Sequence, residues 1–467
     1  MNRVVGIETE YGCLNMGDRG PGTGLDPWPA RIKNHAFHKA RLGAIDRHYR
    51  DYEEPPGNGG FLLNGGRLYM DMGHLEYSSP ECLSLHDIVA YDLAGDTLLQ
   101  AMLQDLGIVD EVAFVKNNID HHTGATFGCH ENFLMRRQSQ FQGPVLRTLL
   151  AFLATRQIFT GAGRVGQANP VALDFEPSRT RQKIDFQLSQ RADHIVNDHY
   201  PWVQFNRAII NARDEPLADP LKYWRLHLLV GDSNVSPFAT ALKIGTTALL
   251  LSLLEEGALP EDVILRDAVL ATRQISHEGT GHGVVLLEDG RTRDALDIQE
   301  QFLAHAQQHL AGRDGESDWI LETWAFTLET LRAAPERLIG GVDWISKKWL
   351  LDTFREAEGL DWHDPWLQSL DLEYHNINPA KGLFFALKPA KVIADFNASV
   401  RCRETLSTPP KNTRAFGRGR AVKHFQGREI PYVINWDSIA IQMEDSLSMP
   451  DPFETYEAEV DALVNKG

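Results

Sequence analysis

Short stretches in which apolar and polar residues alternate recur in the first half of the chain, and a period of two residues predicts β-strands. Breaker residues separate these stretches, as at Pro55–Gly60, and Asn64-Gly65 supplies turn residues inside a predicted hairpin. The predicted strands are Val4–Tyr11, the hairpin Phe61–Asp71, Glu111–Asn117, Ala125–Arg136, Ala208–Asn211 and Leu226–Val230.

Apolar residues three and four positions apart dominate the later part of the chain and predict helices. These helices are His86–Leu106, Ser236–Leu254, Ile298–Leu310, Trp319–Arg332 and Trp344–Glu358, and the basic stretch Arg31–Arg50 is a further helix candidate. Strands grouped early and helices grouped later are typical of an α+β fold. We therefore predict an antiparallel sheet with helices packed on one face.

The composition changes after about residue 388. Thr408–Asn412 is a proline-containing turn, residues 414–420 are rich in arginine and glycine, and Tyr432–Met443 alternates like a strand. These changes predict a large domain over residues 1–388 and a small C-terminal domain over residues 389–467.

The 467-residue chain is 43% hydrophobic and carries a formal net charge of −18. An acidic surface disfavours a nucleic-acid polymer as partner, because phosphate backbones select basic surfaces. The most apolar run, Ala248–Leu254, is too short to cross a bilayer, so we expect a cytoplasmic protein with no membrane partner. The cysteines lack CxxC spacing, which favours reduced thiols over disulfides or a zinc site: Cys13, Cys82, Cys129 and Cys402.

Two carboxylates, Glu8 and Glu10, are separated by one residue in the first predicted strand. Alternate side chains of a strand project from the same face, so the two carboxylates lie side by side. Such a pair repels itself unless a cation neutralises it, and oxygen-rich pairs suit Mg²⁺. The alternative is an edge strand with a solvated acidic face.

The period of two also places Arg67, Tyr69 and Asp71 on one strand face. An arginine can clamp a phosphate, and Asp71 can accept a proton or activate a nucleophile. Glu76, a few residues later, can complete a metal site. The alternative is a half-buried strand whose polar face meets water.

His130 and His227 are candidate ligands, and Arg225 shares the strand face of His227. A lone histidine is more often a hydrogen-bonded structural residue than a ligand. Trp436 can stack on a nucleotide base, although a buried core tryptophan is the commoner case. Walker A, GxGxxG, GxSxG and kinase signatures are absent from the sequence.

Taken in order, the motifs of this chain resemble those of the Pup ligase and depupylase (PafA/Dop) family over nearly its whole length. The matching segments are Gly6–Gly12, Gly66–Asp71, Glu76–Glu81, Gly128–Asn132, Ser189–Asp193, Arg213–Pro216, Arg225–His227, Val230–Asn234, Leu242–Gly245, Ala295–Gln299 and Thr413–Ala415.

The resemblance implies a glutamine-synthetase-like catalytic domain with a curved antiparallel sheet, followed by a small C-terminal domain. It also implies ATP and Mg²⁺ as cofactors and a Pup-like protein modifier as partner. By this resemblance Asp71 is the catalytic base. The metal ligands are Glu8, Tyr69 and Glu76, with Glu10, His130 and His227 as further metal or phosphate candidates. The ATP-binding residues are Arg67, Ser79 and Trp436, with Arg225 as a further candidate.

Two branches of the family catalyse opposite reactions. Ligases phosphorylate the side-chain carboxylate of the modifier's C-terminal Glu, which a target lysine then attacks, whereas depupylases cleave that isopeptide or deamidate a C-terminal Gln. Four residues separate Asp71 from Glu76, and this spacing resembles the depupylase branch, as does Lys243–Leu249. We therefore expect an ATP-dependent depupylase or deamidase. The alternatives are a Pup-type ligase, a third branch with another substrate, and an idle homologue that acts as an adaptor.

Overall fold

A large, mostly antiparallel sheet lies at the centre of the computed structural model, which describes residues 3–17, 27–138, 141–167, 183–201, 207–401, 403–442 and 445–465. Cys402 and residues 18–26 lie outside the described residues. The strands are β1 Val5–Asn15, β2 Gly43–Ile45, β3 Gly59–Leu62, β4 Arg67–Asp71, β5 His74–Ser78, β6 Val112–Val115, β7 Cys129–Arg136, β8 Arg164–Val165, β9 Phe186–Gln187, β10 Asn197–Tyr200, β11 Ala208–Asn211, β12 Tyr223–Leu228, β13 Val284–Leu286, β14 Thr292–Asp294, β15 Tyr432–Ile434, β16 Ser438–Ile441 and β17 Asp445–Ser448.

The strand order of the large sheet is β10-β11-β12-β7-β1-β5-β4-β3-β2, and β6 pairs with the second half of β1. The ladders between neighbours are antiparallel except for β10 and β11, which run parallel. β1 is therefore central and pairs with three strands, β5, β6 and β7. Smaller sheets are formed by β8 with β9, β13 with β14, and β15 to β17.

Helices cover one face of the large sheet, where alternate residues of β1 such as Val5 and Ile7 enter the main apolar core. The helices are α1 Trp28–His38, α2 Leu85–Leu106, α3 Gly143–Thr155, α4 Gln157–Thr160, α5 Pro237–Glu255, α6 Ala268–Glu278, α7 Ala295–Leu310, α8 Gly315–Ala333, α9 Asp343–Glu358, α10 Pro365–Tyr374, α11 Lys391–Ser399, α12 Ala415–Phe425 and α13 Glu457–Val464. The α+β fold predicted from the sequence is confirmed.

Two helices show how local sequence sets the boundaries of these elements. Ser84 caps the start of α2 by accepting the backbone N–H of Asp87, and Gly107 ends the helix in the left-handed conformation. Ser236 caps α5 in the same way. Helix α5 is long and apolar enough to cross a membrane, but 94% of its most apolar window is buried inside the fold. Its apolar character therefore matches its position in the core.

Local predictions failed where long-range pairing decides the structure. The helix candidate Arg31–Arg50 is helical only to His38, because Gly43–Ile45 pairs with β3 instead. The predicted hairpin is confirmed as β3 and β4, with Phe61 opposite Arg67 and Gly65 at a positive φ of 82°. The division at residue 388 stays a prediction: α12, α13 and β15–β17 share one apolar cluster with Phe61 of β3.

Candidate active site

The face of the sheet opposite the helices carries most of the polar residues singled out in the sequence. The ladder registers place Glu10 opposite Glu76 and Glu76 opposite Tyr69, so these side chains form one row across β1, β5 and β4. Glu8 lies opposite His130 of β7 in the neighbouring row. The strand-face prediction thus holds, and the pairing of distant strands adds the histidine.

The first group of ligand atoms consists of Glu8, His130 and His227, which all lie within 4.8 Å of one another. Glu8 Oε2 lies 3.3 Å from His130 Nδ1 and 3.7 Å from His227 Nε2. Asn132 Nδ2 donates to Glu8 Oε1 at 3.1 Å. In the described part of the chain, the buried Nε2 of His227 has no hydrogen-bond partner. A carboxylate facing two imidazoles suits a divalent cation.

Burial and neighbouring charges shift the pKa values of Glu8 and His227 in directions that favour cation binding. Burial alone would raise the pKa of Glu8, but the hydrogen bond with His130 and the charges of His227, His130 and Arg225 hold it at about 2. Burial lowers the pKa of His227 to about 3, and Glu8 opposes this shift only in part. Glu8 is therefore ionised and His227 neutral at physiological pH, the forms in which both side chains bind metals.

The second group consists of Glu10, Asp71 and Glu76, whose ligand atoms also lie within 4.8 Å of one another. Burial and then the charges of Glu8 and Glu10 raise the pKa of Glu76 well above its ordinary value. Burial and then Glu10 raise the pKa of Asp71 to about 6. Tyr69 donates its hydroxyl hydrogen bond to Glu76. Carboxylates crowded at this density fit a hard, oxygen-binding cation such as Mg²⁺.

A pocket adjoins the first group, and Glu8 is part of its wall. Gly6 and Ser79 form its floor, and the Ser79 hydroxyl accepts the backbone N–H of Ile7 at 2.9 Å. Trp436 forms another wall, with Phe61 edge-on at 5.1 Å between ring centroids. The pocket mixes apolar walls with charged groups, which suits a nucleotide base and its phosphates. Its remaining lining residues include Glu81, Leu217, Arg225, Arg414 and Pro452.

Arg225 and Arg67 lie in different surroundings. Arg225 reaches within 3.9 Å of Glu8 and donates to Asn132 at 3.1 Å, so it bridges the pocket and the first group. Arg67 is buried and pairs with Asp46 at 3.0 Å and with Glu54 at 2.5 Å. The positive charge of Arg67 is already balanced, and its contact with ATP remains a prediction.

The sequence predictions missed two cations beside Glu10. Arg191 donates to the carbonyl of Phe127 at 2.8 Å, and Arg207 donates to the carbonyl of Thr126 at 3.0 Å. Neither forms an ion pair with a described residue, and burial and then Arg207 lower the pKa of Arg191 to about 10. Arg191 lies in a segment that resembles the family, but no pattern in the sequence signals a charge that lacks a partner.

Comparisons with known proteins agree along the whole chain. Residues 3–440 match the protein family described as Pup-ligase protein. The chain is 36% identical to a Pup–protein ligase of Kocuria rhizophila, over 99% of this chain and 98% of that protein. It is 35% identical to a depupylase of Acidothermus cellulolyticus, over 96% of this chain and 93% of that protein.

Two solved structures share the fold. The Pup ligase PafA in complex with the prokaryotic ubiquitin-like protein Pup has a TM-score of 0.79 and 31% identity, covering 100% of this chain and 91% of that chain. PafA in complex with ADP has a TM-score of 0.76 and 31% identity, covering 97% of this chain and 96% of that chain.

These comparisons correct the expected branch: the depupylase assignment is wrong. Pup–protein ligases from four further organisms are 33–35% identical over 99% of this chain, and the two solved structures described above are of the Pup ligase PafA. The spacing from Asp71 to Glu76 led to the wrong branch because it reflects only the length of the hairpin between β4 and β5. Met72 and Gly73 form its turn, with Asp71 paired to His74, and the length of a turn does not determine which reaction a site catalyses.

Proposed function

This chain belongs to the Pup-ligase protein family, and we propose that it is an ATP-dependent ligase that joins a Pup-like protein modifier to lysine side chains of target proteins. One observation carries the proposal: a pocket, the two groups of candidate ligand atoms and Asp71 adjoin one another on one sheet face. Glu8 belongs both to the pocket wall and to the first group, and Glu10 of the same strand belongs to the second group with Asp71.

We propose that ATP binds in the pocket. Trp436 and the apolar lining would hold the base, while Arg225 and Glu8 at the pocket's edge would face the phosphates. The similarity to a structure of PafA in complex with ADP supports an adenine nucleotide as the ligand. Mg²⁺ bound by the two groups would neutralise charge on the phosphate oxygens.

Arg191 and Arg207, which form no ion pair with a residue that the structure describes, would attract the anionic reactants toward Glu10 and Asp71. An oxygen of the side-chain carboxylate of the modifier's C-terminal Glu attacks the γ-phosphorus of ATP, and ADP leaves. A lysine amine of the target then attacks the acyl carbon and expels phosphate, and Asp71 takes the proton that the amine loses. The similarity to PafA bound to Pup supports a Pup-like protein as the donor.

Conjugation of a target protein tests the proposal directly. The purified protein receives ATP, Mg²⁺, a Glu-terminated Pup and a lysine-containing target, and mass spectrometry follows the target. We expect a mass increase by one modifier less one water, together with ADP release, and none when the modifier ends in Ala. ADP release without any conjugate would contradict the ligase proposal.

A further inference from the structure

Three charged side chains lie behind β1, on the side that faces the helices. Asp92 and Asp96 lie one turn apart on α2, and Lys116 directly follows β6. Lys116 Nζ lies 2.7 Å from an oxygen of Asp92 and 3.6 Å from one of Asp96. The side chain of Lys116 is 1% exposed, that of Asp92 4% and that of Asp96 16%, so Lys116 and Asp92 are buried and Asp96 is partly exposed.

The two aspartates also bind β1. Thr9 Oγ1 donates to Asp92 Oδ1 at 3.3 Å, and Tyr11 OH donates to Asp96 Oδ1 at 2.6 Å. Thr9 and Tyr11 flank Glu10 in the sequence and point to the opposite face of the strand. The two residues that flank Glu10 are therefore both hydrogen-bonded to α2, and these bonds restrain the backbone that carries the Glu10 carboxylate.

These bonds lie where the sheet divides. The ladder between β1 and β7 ends at Thr9, and the ladder between β1 and β6 begins at Gly12. Between them, the Glu10 backbone N–H reaches the carbonyl of Gly128 at 3.2 Å. Side-chain bonds from Asp92 and Asp96 thus support the strand at the place where its partner on that side changes.

The close approach of α2 to the sheet depends on Gly95. A Cβ atom at this position would lie 2.7 Å from the Tyr11 hydroxyl oxygen and 2.7 Å from the ring of Tyr77. Any larger residue would push the helix away from the strand. Gly95 lies directly before Asp96, so the glycine allows the aspartate to reach Tyr11.

We infer that Asp92, Asp96 and Lys116 form a positioning cluster that fixes β1 so that Glu8 and Glu10 keep the geometry required to bind a divalent cation. The carboxylates of Glu8, Glu10, Asp71 and Glu76 lie on this face of the sheet, and like charges crowded in this way would push β1 away from its neighbours. The cluster resists that displacement. The inference rests on the proposed metal-dependent function, but it concerns cation affinity and not the transfer of the modifier.

The test removes one hydrogen bond and measures cation binding without ATP or Pup. In Tyr11→Phe the ring stays and the bond to Asp96 is lost. The variant is titrated with Mn²⁺ alone, and calorimetry measures the dissociation constant. We expect a value about tenfold higher than that of the unaltered protein, the usual scale when a hydrogen bond that positions a metal ligand is removed. We also expect excess Mg²⁺ to restore conjugation by this variant.

Tyr374→Phe is the matched control. Tyr374 is equally buried and donates to Asp343 at 2.8 Å, outside the carboxylate groups. It should lower thermal stability as Tyr11→Phe does and leave Mn²⁺ affinity unchanged. Equal Mn²⁺ affinity in Tyr11→Phe and the unaltered protein, or an equal loss in both variants, would overturn the inference.

A second variant keeps the inference testable if Tyr11→Phe does not fold. Thr9→Val removes only the longer bond to Asp92 and should weaken Mn²⁺ binding in the same direction. Unchanged Mn²⁺ affinity in this variant, with Tyr11→Phe unfolded, would overturn the inference. A protein that makes no conjugates but loses Mn²⁺ affinity in these variants would contradict the proposed function and leave the positioning cluster standing.

Discussion

Glu10 and Glu76 lie directly opposite each other in the register of β1 and β5, and their carboxylates share one group with Asp71. Glu76 is only 3% exposed. Like charges held together in a weakly polar environment cost free energy, and a bound cation would remove that cost. We therefore expect this group of carboxylates to lower the stability of the protein as long as no cation is bound.

Glu76→Gln should release part of this repulsion. We expect the variant to unfold at a higher temperature than the unaltered protein in EDTA, and to gain less stability on addition of Mg²⁺, because one cation ligand is lost. Thermal unfolding in EDTA and in Mg²⁺ measures both effects. Glu261→Gln, at an exposed position, should change neither. A lower unfolding temperature in EDTA with an unchanged response to Mg²⁺ would contradict a repulsive cation site.

The grouping of residues within each strand was predictable from the sequence, because a period of two decides which side chains share a face. Glu8 with Glu10, and Tyr69 with Asp71, follow from this rule alone. The choice of neighbouring strands did not follow from it. Glu8 meets His130, 122 residues later, only because β1 inserts between β5 and β7.

The surroundings of two arginines could not be predicted from local sequence patterns. Arg67 was expected to face phosphate, but the loop before β3 supplies Asp46 and Glu54 to balance its charge. Arg191 is buried beside the carboxylates without an ion-pair partner among the described residues, a property of three-dimensional packing. The roles of both residues in binding remain predictions.

Asp71→Asn tests the proposed base. The amide keeps the size of the side chain but cannot accept the proton that the lysine amine loses. We expect conjugate formation to fall by about two to four orders of magnitude, while nucleotide affinity changes little. Single-turnover conjugation and calorimetry with ADP provide these measurements. Asp110→Asn, on the protein surface, serves as the control. Normal turnover in Asp71→Asn would remove Asp71 from the mechanism.

Glu81 should make stability depend on pH. Burial alone would raise its pKa, but Arg418 and Arg414 hold it at about 2, below the ordinary value of 4.5. A depressed folded-state pKa contributes stability that is complete above pH 4.5 and is lost as the pH falls through about 2. The contribution at neutral pH is about 3 kcal/mol.

Glu81→Gln should therefore lose about 3 kcal/mol of unfolding free energy at pH 7 and a smaller amount at pH 3, as measured by urea denaturation. The control is Glu457→Gln, which breaks an exposed ion pair with Arg420 on α12. That variant should differ from the unaltered protein by less than about 1 kcal/mol. A loss at Glu81 that is equal at both pH values would show that the ion pairs with Arg414 and Arg418 are not its cause.

Trp436 provides the most direct test of the nucleotide pocket. Its ring is held in place, because Phe61 packs edge-on against it and the guanidinium of Arg418 lies 4.7 Å from its centroid. A fixed aromatic wall can stack on a base without first losing conformational freedom, and such stacking contributes about 1–3 kcal/mol. Trp436→Ala should therefore weaken ATP and ADP binding by about 5- to 150-fold.

A comparison of ligands with and without a base distinguishes the loss of stacking on Trp436 from general damage to the pocket. Trp436→Phe keeps an aromatic face and should retain most of the affinity for ADP, whereas inorganic pyrophosphate, which has no base, should bind all three proteins equally. Calorimetry with each ligand in the presence of Mg²⁺ gives the comparison. If Trp436→Ala weakened pyrophosphate and ADP to the same extent, Trp436 would support the phosphate side of the site through packing, and the base would have to lie elsewhere.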